Sequence, residues 1–195
     1  FYKNISGTQD YNSTYQNFIL SSGLKFNKIE INMDLEKENA SCYILSGLSL
    51  GKEEHQEIKT RINHMAPNCK SYQKIKNVLE NDSKGVYQGK IFVKDNAQKT
   101  DAYQLSKALI LDDKAEFNAK PELEIYADDV KCSHGSTSGS IDADAIHYLM
   151  TRGIELSMAK KLLINGFVNE IFENIPEEKL KKFLEKNIIE QVNAI

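Results

Sequence analysis

The chain has 195 residues, of which 41% are hydrophobic and 27% are charged, and its formal net charge is −3. These values predict a soluble globular protein and argue against a general affinity for nucleic acid. No apolar run reaches the length of a membrane span. The three cysteines form no CxxC pair, which predicts free thiols and a reducing, cytoplasmic compartment.

The first 139 residues show the alternation of apolar and polar side chains that is typical of strands. The clearest runs are FNKIEINMDL (26–35), SCYILSGLSL (41–50), GVYQGKIFV (85–93) and ELEIYADDV (122–130). Pro121 falls between two runs, where its missing N–H breaks no ladder of hydrogen bonds. Many short strands predict an all-β body, and a barrel, a sandwich and a solenoid with irregular rungs all fit this pattern.

From about residue 140 the apolar spacing becomes helical. In the segment SIDADAIHYLMTRGI, Ser140 is the predicted N-cap, an apolar stripe includes Ile146 and Leu149, and Gly153 ends the helix. A second helix is predicted in ELSMAKKLLINGFVNEIFENI, ended by Asn174 and Pro176. A third is predicted in PEEKLKKFLEKNIIEQVNAI, with an apolar face made of Leu180, Phe183, Leu184, Ile188 and Val192.

Cys132 and His134 stand two residues apart, just before a predicted loop of glycine and serine. On a strand, residues i and i+2 share a face and their Cα atoms lie roughly 6.6 Å apart. The pair could therefore share a metal, act as a nucleophile with its base, or consist of two packed side chains. No second ligand pair is evident in the sequence, so an open half-site completed by a partner fits better than a closed four-ligand site.

Five segments of residues 85–154 carry a long collinear resemblance: QGKI, DNAQKTDAYQ, AEFNAKPELEI, ADDVKCSHG and YLMTRGI. Together they closely resemble the SufB/SufD core family of iron–sulfur cluster assembly proteins. A weaker match extends upstream through DLEKENASCYILSGLSL and downstream through AKKLLINGF. The form KCSHG followed by STSG resembles the SufD branch of the family.

The resemblance implies a mainly β fold, namely a right-handed parallel β-helix with a C-terminal α-helical domain. The β-helix core is expected over residues 1–139, as the C-terminal part of a longer core whose N-terminal region is absent. The helical domain is expected over residues 140–195. The missing initiator methionine agrees with a fragment or a processed chain.

The resemblance also implies a non-ATPase scaffold subunit that pairs with SufB through the edges of the β-helices and assembles a transient iron–sulfur cluster shared with SufB. It implies that His134 lies at the SufB interface as a metal ligand, with Cys132 beside it. The ATPase SufC would dock on the C-terminal helices, and this chain itself would bind no nucleotide. The candidate docking residues are Ile146, Leu149, Leu162 and Phe167.

Two other possibilities stay open at this point. The pair Cys132–His134 could serve a Cys/His-dependent hydrolase or transferase on an all-β scaffold, which requires a depressed pKa of the thiol. Alternatively, both residues could be core side chains of a purely structural partner. When it is alone, the chain could form a homodimer through the edge that SufB would cover.

Overall fold

The computed structural model describes residues 1–175 and 177–193. Within these ranges it describes every side chain except those of residues 174 and 188–193. Ten strands come first: β1 Tyr2–Gln9, β2 Thr14–Ser21, β3 Phe26–Leu35, β4 Ser41–Leu50, β5 His55–His64, β6 Lys70–Leu79, β7 Lys84–Val93, β8 Asp101–Ile110, β9 Glu116–Ile125 and β10 Lys131–Gly139. The helices follow: α1 Ala143–Thr151, α2 Leu156–Asn169, a short 3₁₀ helix Glu170–Asn174, and α3 Glu178–Asn193.

The strands form two parallel five-stranded sheets that alternate along the chain. The odd sheet has the order β1-β3-β5-β7-β9 and the even sheet has the order β10-β8-β6-β4-β2. One odd and one even strand make one turn of a β-solenoid with about five turns. The prediction of a parallel β-helix followed by helices is confirmed.

The rungs of the β-helix are irregular, as the sequence predicted. The offset between paired residues is 26 for Tyr2 with Lys28, 29 for Phe26 with His55, and 32 for Lys84 with Glu116. Changes in the length of the turns absorb the difference, while strands β3 to β9 keep the same length of 10 residues. A repeat that varies in this way leaves no fixed period in the sequence.

The interior between the two sheets is largely aliphatic. Ile31, Ile58 and Ile62 of the odd sheet meet Ile44 and Leu48 of the even sheet in one buried cluster. Burying each such side chain stabilises the fold by about 1.5–3 kcal/mol. The strict alternation of inward apolar side chains therefore specifies both the strand faces and the register.

One corner of the β-helix is built on stacked residues in the left-handed conformation. Asn12, Asn39, Asn68 and Lys99 all have positive φ angles, between 56° and 61°. They occupy equivalent positions in successive turns, and the N–H of Asn68 donates to the carbonyl oxygen of Gln98 at 2.9 Å. Asparagine tolerates this conformation better than most residues. This ladder was not predicted from the sequence, although the spacing of Asn12, Asn39 and Asn68 matches the offsets between paired strands.

The helices pack on the outer face of the even sheet. Val78 and Leu109 from this face form one buried cluster with Ile164, Val168 and Phe172 from the helical segment. The last strand ends at Gly139 and the first helix begins at Ala143. The helical segment is therefore attached to the β-helix by an apolar interface, which fixes the position of α2.

Buried lysines reinforce this attachment. Lys76 is fully buried, contacts Glu170 and the carbonyl oxygen of Phe167, and its Nζ lies 4.2 Å from the centroid of the Phe167 ring. Lys74 donates to the carbonyl oxygen of Glu170 at 2.6 Å. Cations at the C-terminal end of a helix interact favourably with its unpaired carbonyl groups. These contacts hold the end of α2 against β6.

Two local predictions are wrong. Pro121 lies inside β9 and not between two strands. The strand tolerates the missing N–H because β9 is the edge of the odd sheet. The N-cap of α1 is Asp142 and not Ser140, since the Asp142 side chain accepts from the backbone N–H groups of Asp144 and Ala145.

The predicted apolar face of α3 is correct only in part. Leu184 is buried and Leu180 is partly buried, but Phe183 is 64% exposed. The side chains of Ile188 and Val192 lie outside the described residues, and so does Pro176.

Candidate functional site

Cys132 and His134 lie on β10, the last strand of the even sheet. The predicted glycine–serine loop is wrong, because β10 pairs with β8 from Lys131 to Gly139. In this register Cys132 lies beside Ala102 and His134 lies beside Gln104, two fully or almost fully buried residues that face the interior of the β-helix. The prediction that Cys132 and His134 share one face of a strand is therefore confirmed.

The same pairing explains the unequal burial of the two side chains. Cys132 is half-buried and packs against a small cluster that includes Ile91, Val93 and Ala102. His134 is exposed although it continues an interior column, because β10 is the last strand on its side of the β-helix. The reading of both residues as core side chains is thus unsupported for His134 in this chain.

The thiol of Cys132 is not activated. Burial raises the pKa of the Cys132 thiol, the backbone N–H of Ala102 opposes this effect, and the charge of Asp101 adds to it. A cysteine nucleophile requires a lowered pKa. The raised pKa of Cys132 therefore argues against the hydrolase or transferase alternative.

The terminal strands β9 and β10 are the free edges of the two sheets at this end of the β-helix. Each pairs on one side only, β9 with β7 and β10 with β8. A long parallel edge strand presents unpaired backbone N–H and C=O groups that can pair with a strand of another chain. Cys132 and His134 thus lie on an edge that is suited to β-strand pairing.

Within residues 1–175 and 177–193, no three His, Cys, Asp or Glu side chains lie close enough to hold a metal ion together. Cys132 and His134 can supply one thiolate and one imidazole, both of which are ligands of iron in proteins. A cluster bound by this pair needs further ligands from elsewhere.

The four candidate docking residues on the helices differ in their surroundings. Leu162 is 46% exposed, Leu149 is half-buried, and Ile146 lines a cavity of about 430 Å³ between the helices and the end of β8. Phe167 packs against its own chain beside Lys76. Helix α1 has no buried residue.

Several large apolar side chains are exposed on the same two helices. The large ones on α1 and α2 are Tyr148, Met150, Leu156, Met158 and Leu162. An apolar surface of this kind on a folded chain commonly marks a protein interface. None of the described helices is long and apolar enough to cross a membrane.

Sequence reasoning missed the buried polar residues of the interior. His64 is 0% exposed and bonds through Nε2 to the Ser71 hydroxyl at 2.8 Å. Tyr87 and Gln104 are also fully buried. The available signal was their position in the strand alternation, which places Tyr87 on the same face as Ile91.

Most of the chain matches one known protein family. A family model described as "SUF system FeS cluster assembly, SufBD core domain" matches residues 2–167. Over 148 residues the chain is 38% identical to the iron–sulfur cluster assembly protein SufD of Escherichia coli. The aligned region covers 76% of this chain and 35% of that protein. It is also 34% identical over 173 residues to an iron–sulfur cluster assembly SufBD family protein of Synechocystis, and this alignment covers 89% of this chain and 38% of that protein.

A third relative is the SufD protein of Bacillus subtilis, 32% identical over 132 residues, which cover 68% of this chain and 30% of that protein. The chain thus spans between 30% and 38% of the length of these three relatives. The family model covers most of this chain, and the SufD proteins of Escherichia coli and Bacillus subtilis are both more than 30% identical to it. The chain therefore belongs to the SufB/SufD core family of the SUF iron–sulfur cluster assembly system and within it is most like SufD.

Proposed function

We propose that this chain is a scaffold subunit that assembles nascent iron–sulfur clusters at an interface with SufB. The observation that carries the proposal is the position of Cys132 and His134 on the free edge strand β10, with the imidazole exposed. A partner strand paired with this edge would bring its own ligands next to the pair. The resulting shared site has soft thiolate and imidazole donors, which suit iron and sulfide.

The iron–sulfur cluster is the cargo of this site. His134 would ligate iron through one ring nitrogen, and Cys132 would do so once its thiol has lost a proton. Since burial raises the pKa of Cys132, metal binding must supply the driving force for that deprotonation. His134 is therefore the principal ligand of the proposal and Cys132 the auxiliary one.

The ATPase SufC would dock on α1 and α2. The support for this step is the exposed apolar surface that includes Met158 and Leu162, together with the absence of buried residues in α1. Ile146 and Leu149 of α1 are only partly buried, whereas Phe167 is engaged by its own chain. ATP hydrolysis in SufC would then act on the interface with SufB through the helices that are packed on the even sheet.

The test of the ligand role is anaerobic reconstitution with iron and sulfide in the complex of this chain with SufB and SufC. His134→Ala should abolish most of the visible absorption of the cluster while the complex still assembles. Ser138→Ala is the matched control, because Ser138 is an exposed residue of the same strand and its replacement should leave the spectrum unchanged. An unchanged spectrum for His134→Ala would move the chemistry wholly to SufB.

The docking surface is tested by binding to SufC. Leu162→Asp should weaken binding by about tenfold or more, because it places a charge in an apolar interface. Phe183→Asp is the matched control, since Phe183 is an exposed apolar residue on α3, outside the proposed surface. Equal losses for both variants would argue against a docking surface on α1 and α2.

A further inference from the structure

A hydrogen-bonded polar network lies in the interior of the β-helix, one rung below the edge strand. The Tyr87 hydroxyl donates to Gln73 Oε1 at 3.3 Å, Gln73 Nε2 donates to Gln104 Oε1 at 3.5 Å, and Gln104 Nε2 donates to the carbonyl oxygen of Gly89 at 3.2 Å. Tyr87, Gln73 and Gln104 are all 0% exposed. Burying so many polar groups is costly unless each one is hydrogen-bonded.

The network exists only because Gly89 has no side chain. A Cβ atom at Gly89 would lie 2.3 Å from the Tyr87 hydroxyl and 2.6 Å from Gln104 Oε1. On the neighbouring strands the paired positions are Thr60 and Pro121. At this rung a glycine replaces an apolar side chain, and the space is occupied by the side chain of Gln104.

Gln104 lies directly under His134. Gln73 pairs with Gln104 and Gln104 pairs with His134, so the three form one interior column along the even sheet. Paired residues of neighbouring strands lie about 4.8 Å apart and their side chains face the same way. The Ser106 hydroxyl, in the next column, reaches the Ser136 hydroxyl at 3.0 Å across the same two strands. Contact between side chains of β8 and β10 is thus possible on this face.

The chemistry of a metal-bound histidine makes this neighbour significant. A ligating imidazole almost always donates its second ring N–H to an acceptor, which sets the tautomer and the ring orientation. Gln104 Oε1 accepts one hydrogen bond, from Gln73, and a carbonyl oxygen has two lone pairs. One lone pair thus remains available on the side chain that lies next to His134.

We propose that Gln104 is the positioning residue for His134: its Oε1 accepts the N–H of the imidazole when the partner covers the edge, so that the other ring nitrogen faces the iron. The inference rests on the proposed function and deepens it. Gly89, Tyr87 and Gln73 hold Gln104 in place, and they have no direct contact with the cargo. Gln104 acts through His134 and is not itself a ligand.

The test compares two isosteric substitutions in the complex with SufB and SufC. Gln104→Met removes the acceptor, and the expected result is at least a tenfold loss of iron affinity during reconstitution. Gln56→Met removes a buried amide of the same interior that bonds to Asn27 and not to Gln104, and it should lower the iron affinity less than threefold. Equal effects of the two variants would show that only the core was disturbed and would overturn the proposal.

A measurement on the unmodified chain makes the test independent of variant folding. With ¹⁵N-labelled histidine, His134 should hold a single tautomer in the assembled complex, whereas in the chain alone, where its imidazole is exposed, it should exchange between both. Free exchange at His134 in the complex would overturn the role of Gln104. If His134→Ala leaves the cluster intact, the proposed function fails, whereas a loss with His134→Ala but not with Gln104→Met removes only the positioning role.

Discussion

The stability of this chain should depend on pH through His64. The imidazole is 0% exposed, its Nε2 bonds to the Ser71 hydroxyl at 2.8 Å, and its Nδ1 has no hydrogen-bond partner. Burial lowers the pKa of His64 to about 4, from an ordinary value of 6.5. The folded chain therefore holds this histidine neutral at pH values where the unfolded chain protonates it.

The sign and the size of the effect follow from linkage. The contribution of the neutral His64 to the free energy of unfolding is complete above pH 6.5. It is lost as the pH falls towards 4, because only the unfolded state takes up the proton in that range. The complete loss corresponds to about 3 kcal/mol, and the part between pH 7 and pH 5 to about 2 kcal/mol.

The assay is urea unfolding of the chain at pH 7 and pH 5, compared with the variant His64→Gln. Glutamine keeps a polar group near Ser71 but does not titrate, so the variant should lose about 2 kcal/mol less than the wild type between the two pH values. The other three histidines are common to both proteins and cancel in the comparison. The reasoning is refuted if both proteins show the same pH dependence.

Three further predictions concern stability, each measured by urea unfolding. Gly89→Ala should destabilise by about 1–3 kcal/mol through overlap with Tyr87, whereas Gly166→Ala, in an open helical position, should stabilise by about 0.5–1 kcal/mol. Asn68→Val should lower the free energy of unfolding by about 1–2 kcal/mol, because valine tolerates the left-handed backbone at this position poorly, and Asn68→Gly should lower it little. Similar losses for both variants would contradict the role of the left-handed residues in the corner. Lys76→Ala should lower the free energy of unfolding by about 2 kcal/mol and increase amide hydrogen exchange in α2. Unchanged exchange would show that the contacts of Lys76 do not hold α2 against the sheet.

Much of the fold could be predicted from the sequence where a pattern is local. FNKIEINMDL and SCYILSGLSL match β3 and β4 in full, and Gly153 ends α1 with a φ of +84°. The first half of β9 was missed, because an edge strand can include a proline and its run of polar residues resembles a turn. The parallel β-helix itself came from the family resemblance and not from the period.

The candidate site was predicted in part. The spacing of Cys132 and His134 was enough to place them on one face of a strand, since that depends only on the alternation of side chains. Their unequal burial could not be predicted, because it depends on β10 being the last strand of its sheet. The neighbour Gln104 is 30 residues away in the chain and becomes adjacent only through the register of β8 and β10.

The sequence by itself determined the strand faces, the helical C-terminal third and the chemistry available at Cys132 and His134, because these follow from residue type and short-range spacing. Only the tertiary structure decided what stands next to the pair. Contacts between successive rungs join residues 26 to 32 positions apart, and the lengths of the turns set these offsets. Since those lengths vary from rung to rung, the polar network below His134 and the buried His64 became evident only once the chain was wound into the β-helix.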